Sequence, residues 1–370
     1  MILALLFWLG AAPEALVLRA RWVIDVESGQ AREHGAIAVS GDRIVADAPE
    51  NATLVDLGDS TLLPGLIDAH VHLLLAGEPE ANASATLLAG FTTVQDLGAV
   101  GYGNLELRDK IASGQVVGPR VVASGPWLGI SGGICDFQGI GVRGAQAFRE
   151  RVREDVARGA DLIKVCVSGW LEEAYREPAR YEIAEDELLA AVDEAHRLGK
   201  RVAVHALSEA GIEKAIAAGA DLIVHGGFTS PATLERMKAL GVSQLTTLWS
   251  LHQGGPESAF GALQTHLRSS WALGLPLAFG TDAGVIPHGK NAREFPELSA
   301  IGMTPGDLIR AATTGAARAV GLVGQVGTLS PGAFADVIGV DGNPLTDPEA
   351  LHRVTFIMKG GRVAFGQNLK

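Results

Sequence analysis

A chain of 370 residues, 47% of them hydrophobic, has room for a barrel of roughly 250 residues and a smaller attachment, and buries a large core without difficulty. Its 30 basic and 42 acidic residues leave a net charge of -12, which argues against nucleic acid or an anionic membrane as partner, since neither attracts an acidic surface. A small-molecule or dipeptide-like substrate is expected instead, and formation of a homo-oligomer is left open.

Residues 1–12, MILALLFWLGAA, are apolar like the centre of a secretory signal, yet no Lys or Arg precedes them and Pro13 would adjoin a cut after Ala12. Twelve residues are too few to cross a bilayer. The segment reads equally as a signal or as the lead-in to a strand, so the compartment, cytoplasmic or exported, stays open. From there to residue 63 short β-rich pieces alternate with turns, at 16–18, 22–24, 36–39 and 43–45, with Gly41-Asp42 joining the last two. The chain's end has the same texture, at 335–340 and 354–358, followed by Gly360-Gly361 and 362–365. The economical arrangement unites residues 1–63 and 325–370 in one composite β-sandwich outside a central domain, 64–324.

In that central domain strand and helix alternate. Predicted strands are 65–73, 92–97, 120–124, 162–168, 201–206, 222–226, 243–248 and 276–282, with helices at 185–198, 209–218 and, last, 304–319. The steps from His70 to Asp282 average about 30 residues, the length of one βα unit, which predicts an α/β fold built on a (β/α)8 TIM-type barrel. An open doubly wound sheet is the runner-up, but no glycine-rich phosphate loop follows the first strand. The two cysteines, Cys135 and Cys166, form no C-x-x-C pattern and are read as small buried apolar side chains, a disulfide being the less favoured alternative.

Chemistry collects at the strand ends. His70 and His72 lie one residue apart, and residues i and i+2 of a strand share a face, so both imidazoles reach one ion from a rigid edge. Lys164, His205, His225 and Asp282 each end a later apolar run, where a barrel strand delivers its last side chain to the active face. A single such histidine is usually a hydrogen-bonded core residue; six polar residues at this rim reverse that reading.

The order His-x-His, Lys, His, His, Asp resembles the amidohydrolase superfamily, in its subgroup with two metal ions. The resemblance spans nearly the whole chain, through Leu63-Pro64-Gly65-Leu66-Ile67-Asp68-Ala69-His70-Val71-His72, Gly90-Phe91-Thr92-Thr93-Val94-Gln95-Asp96, Gly280-Thr281-Asp282-Ala283-Gly284 with His288-Gly289, and Gly327-Thr328-Leu329 to Ala333-Phe334-Ala335-Asp336-Val337. Within the superfamily the imidazolonepropionase-like and prolidase-like branch is the most similar, whose members cleave Xaa-Pro or Xaa-Arg dipeptides and related amides. The resemblance implies that His70, His72 and Asp282 bind the more buried ion, that His205 and His225 bind the second, and that Lys164 bridges both after carboxylation by CO2. An ammonium has no lone pair and cannot ligate a cation, whereas its carbamate is an anionic two-oxygen bridge. A structural salt bridge is the competing role for Lys164.

Nitrogen and carboxylate donors suit two Zn2+, with Mn2+, Co2+ or Fe2+ also compatible. Two such ions sharing a water bring its pKa toward neutrality, and Asp282 is the natural base to pass its proton to a leaving amine. The expected function is therefore metal-dependent hydrolysis of C–N bonds in small peptide-like or N-acyl amino acid substrates by a metal-bridging hydroxide. A lactonase, arylesterase or phosphotriesterase on the same site is the alternative enzyme, and a non-catalytic binding barrel the alternative of another class. Mononuclear members generally lack the lysine, so Lys164 favours two metals. Two departures touch the substrate side: Ile134 in Ser131-Gly132-Gly133-Ile134 stands where dipeptidases of the branch show His, and Val224 where a Glu often precedes the histidine of the sixth strand. Arg143, Arg176, Arg180, Lys290 and Arg293 are candidate partners for a substrate carboxylate, a solvated role being the commoner one, and Tyr181 and Trp170 are candidate pocket walls.

Overall fold

The computed structural model describes residues 15–367, so the apolar stretch at 1–12 lies outside the described residues. Alternation decides the first sheet: Ala15–Arg19 buries Leu16 and Leu18, pairs antiparallel with Ala36–Ser40, and takes Thr53–Asp56 in parallel on its other side. Gly41, at φ 58°, turns the chain from Ala36–Ser40 into Arg43–Val45. A second, six-stranded sheet mixes the two ends of the sequence, because Val337–Val340 lies antiparallel to Thr61–Pro64. Leu16, Leu18 and Val39 of the first sheet meet Leu62, Val337, Phe356 and Met358 of the second in one buried cluster.

Between these ends run eight parallel strands: Leu66–Val71, Phe91–Asp96 and Arg120–Ala123 in one sheet, and Ile163–Cys166, Val202–Ala206, Leu222–His225, Ser243–Leu245 and Leu277–Ala278 in another. Isolated parallel bridges cross both seams, Leu128 to Val165 and Val71 to Ala283. Seven of the eight are buried at every residue, which is why they read as continuous apolar runs and not as alternation. The intervening helices stop and start on local signals. Glu209–Ala218 begins where Ser208 Oγ accepts the Gly211 N–H and ends at Gly219, whose φ of 92° suits glycine. Among the described residues no helix is long and apolar enough to cross a membrane.

Three expectations differ from the fold. The last helix, predicted as one piece over 304–319, is Pro305–Arg310, a π-helical turn over Ala311–Gly315, then Ala316–Ala319. The carbonyl of Ala311 accepts the Phe279 N–H, so strand and helix share a backbone group that a regular helix would keep for itself. The eighth strand, predicted to reach Asp282, stops at Ala278 for the same reason, and the chain then leans on the first strand through Thr281 and Asp282 N–H groups given to His70 O.

The third difference is covalent: Cys135 and Cys166 are bonded to each other, with Cα atoms 6.2 Å apart. The pairing follows from the path after the third strand, where Leu128 N–H donates to Lys164 O and Cys166 N–H to Leu128 O, laying that loop along the fourth strand. Nothing in a spacing of 31 residues with a helix between announces this. Closing a loop of that length restrains the unfolded chain by roughly 3–4 kcal/mol. Urea unfolding of a Cys135→Ala/Cys166→Ala variant is expected to lose roughly that much stability; a midpoint equal to that of the oxidised wild type would show the bond adds nothing.

Candidate metal centre

Asp68, His70 and His72 share one face of the first strand and its extension, and all three are buried. Asp68 acts as a brace. Its Oδ1 accepts the N–H groups of His70 (3.1 Å) and Thr281 (3.0 Å), and its Oδ2 accepts Thr281 Oγ1–H (2.6 Å) and Asn291 Nδ2–H (2.7 Å). Burial pushes its carboxyl up to about 6 against those hydrogen bonds. The brace ties the strand bearing the two histidines to the segment bearing Asp282.

Asp282 Oδ1 lies 3.2 Å from His72 Nε2 and 3.4 Å from His70 Nε2, and the two Nε2 atoms are 3.2 Å apart. His72 Nδ1 is 2.9 Å from Gly98 O. A carbonyl only accepts, so a neutral His72 carries its hydrogen on Nδ1 and turns an Nε2 lone pair toward an anionic carboxylate. Two acceptors opposed at that distance are what a cation between them relieves, and these three residues form a ligand-spaced group. Burial pushes the His70 and His205 imidazoles well below their ordinary range and His225 to about 3, which keeps them neutral and able to donate lone pairs. Burial alone would raise the Asp282 carboxyl; the positive charge of any proton held by the imidazoles beside it, His70 foremost, opposes that, and the net direction is downward.

His205 and His225 come from the fifth and sixth strands, with ring centroids 4.6 Å apart, and His225 lies 5.1 Å from His70. His225 Nδ1 is 2.6 Å from Thr247 Oγ1, which fixes that ring, and His205 Nε2 sits 3.5 Å from Gly169 O. His225 and Asp282 both hold left-handed backbone, φ 69° and 59°, a strain of about 1–3 kcal/mol each that clusters where side chains must be aimed. Lys164, from the fourth strand, is 2% exposed, and burial lowers its amine to about 7 although Asp282 opposes the shift. No ion pair engages it among the described residues, so the salt-bridge role has no partner here.

All six expected residues line one cavity. Its other walls are Leu75, Trp127, Cys135, Phe137, Trp170 and Val285. Trp127 packs 5.3 Å from His72 and Trp170 5.6 Å from His205, so each half of the site has an aromatic flank. Gly98 makes the first contact feasible, since a Cβ there would meet the Trp127 ring at 2.3 Å. Trp170 thus lies where expected, whereas Tyr181 stands outside the cavity under Lys214, 5.8 Å from its ring. The candidate cations are elsewhere too. Arg143 donates to Ser131 O, Arg176 pairs with Glu172 and Arg180 with Glu173, and Lys290 and Arg293 line a separate cavity with Glu349 and His352. Ile134 gives its N–H to Glu182 and packs its side chain beside Trp127 and the disulfide, while Val224 is core.

Sequence reasoning missed Asp68, Thr247 and the Trp127–Phe137 pair. Asp68 had a signal, a carboxylate in a buried run two residues before His70. The aromatic pair had a weaker one, its place in the loop after a strand end.

Parallel strands that carry neutral imidazoles, a buried amine and an ionised carboxylate to one end define a metal-dependent hydrolase. The pattern of the Amidohydrolase family matches residues 61–364, and the chain belongs to that family. It is similar to an ochratoxinase of Aspergillus niger, 30% identical over 371 residues covering 83% of this chain and 76% of that one. An imidazolonepropionase of Symbiobacterium thermophilum is 28% identical over 358 residues, 82% of this chain and 83% of that one. Among solved structures, a Xaa-Pro dipeptidase with methionine bound in its active site superposes with a TM-score of 0.87 at 29% identity, covering 95% of this chain and all (100%) of that one.

Proposed function

We propose that this enzyme hydrolyses the C–N bond of small amides at a centre of two divalent metal ions, most compatibly Zn2+, with Lys164 carboxylated between them. The reading takes the two parallel sheets as one closed (β/α)8 barrel, supported by the bridges across both seams. His70, His72 and Asp282 would hold one ion, His205 and His225 the other, and the opposed acceptors of His72 and Asp282 fit such a donor set. Ions bound there supply Lewis acidity at a scissile carbonyl and water that ionises near neutral pH.

The observation that carries the proposal is Lys164, an amine lowered to about 7 by burial within the cavity that the four histidines and Asp282 line. At neutral pH much of it is free base, able to attack CO2: an N–C bond forms, one proton leaves, and a carbamate anion replaces a cation that would repel divalent ions. Asp282, ionised and within reach of His70 and His72, takes the proton of the attacking water and returns it to the nitrogen as the C–N bond breaks. Trp127 and Trp170 limit the water around the reacting carbonyl.

Metal analysis is expected to return two ions per chain, and a panel of amides, lactones, aryl esters and paraoxon is expected to be cleaved first at amides. Turnover of esters or paraoxon with amides untouched would move the enzyme to the alternative bond class.

A further inference from the structure

We infer that the substrate is an uncharged amide with aromatic or aliphatic groups on both sides of the scissile bond, and that a free carboxylate beside that bond is selected against. The inference rests on the amide-hydrolase reading and names its substrate class. Among the described residues, every wall of the cavity apart from the six polar residues of the centre is apolar. The apolar character continues outward, where Leu75, Trp170 and Val285 stand 45%, 52% and 56% exposed around the mouth. Large apolar side chains left this open in a group mark a surface meant to be covered by something apolar.

A substrate carboxylate finds no such welcome. It must shed water, and outside the metal centre, whose ions are engaged with the scissile carbonyl and the water, the walls offer no Lys or Arg to offset that loss. Arg176 and Arg180, the basic residues of the segment beyond Trp170, are already paired with Glu172 and Glu173. Ile134 packs an alkyl group beside the disulfide and offers no side-chain donor, and its N–H is taken by Glu182. Trp170, half exposed beside His205, gives a flat face for a ring on one side of the carbonyl, and the buried Trp127, packed between His72 and Phe137, stands as a fixed apolar wall on the other.

The test uses two compounds that differ only in the carboxylate, N-benzoylphenethylamine and N-benzoylphenylalanine, on the metal-loaded full chain. The neutral amide is expected to show at least about tenfold higher kcat/KM; equal or faster cleavage of the acid overturns the inference. If neither is cleaved, the amide-hydrolase reading fails by itself, and calorimetric binding still decides the pocket: tighter binding of the neutral compound supports it, equal or tighter binding of the acid overturns it. A Leu75→Arg variant, at an exposed position that accommodates the longer side chain, is expected to narrow the gap at least about fivefold in binding. An unchanged ratio there would show that the rim does not discriminate.

Discussion

Replacing Lys164 by alanine is expected to lower turnover by at least about a thousandfold and to reduce bound metal from two ions per chain to one or none. The substitution removes an amine that sits with four imidazoles and one carboxylate, so the proposed ligand set would lose its single shared member. A short carboxylic acid such as propionate, small enough for the vacated space, is expected to restore part of both. Circular dichroism separates this from misfolding. Wild-type turnover and metal content in the variant would show that Lys164 bridges nothing. The same group sets a pH dependence in metal-free protein. Only the free base reacts with CO2, and the amine is lowered to about 7 by burial, so uptake of 13C-labelled bicarbonate at Lys164 is expected to rise as pH climbs through about 7 and to level off above it. A label that first appears near pH 10, the range of an ordinary lysine, would contradict that microenvironment.

The parts of the site that could be read before folding were those set by period and by strand termini. His70 and His72 are two apart, and a strand places such residues on one face whatever surrounds it. Lys164, His205 and His225 each sit in or at the end of a buried run, and length bounded those strands to within a few residues. What could not be read depended on contacts between distant segments. The disulfide needs the loop after the third strand to lie along the fourth, which backbone hydrogen bonds of Leu128 accomplish and no spacing encodes. The early end of the eighth strand and the π-helical turn are one event, a hydrogen bond from Phe279 to Ala311, visible only once both are in place. Arg143, Arg176 and Arg180 looked alike as residue types; their neighbours, Ser131 O, Glu172 and Glu173, decided that none faces the centre.

An Asp282→Asn variant tests the chemistry with the least disturbance of the architecture. The position is left-handed at φ 59°, a conformation that Asn tolerates as well as Asp, whereas Ala would add backbone strain to the loss of the side chain. The amide keeps one oxygen to face His70 and His72, and the Asp68 brace still holds the segment through Thr281. What disappears is the negative charge and the ability to accept a proton, so the expected result is a fall in kcat of roughly a thousandfold with KM within about threefold of wild type. Metal content measured on the same sample divides the two roles proposed for the carboxylate. Loss of turnover with both ions present assigns Asp282 to proton transfer, because the ligands and the cavity walls are then intact and only the path from water to leaving nitrogen is broken. Small and equal changes in kcat and KM would remove it from the chemistry and leave it as a donor to the metal.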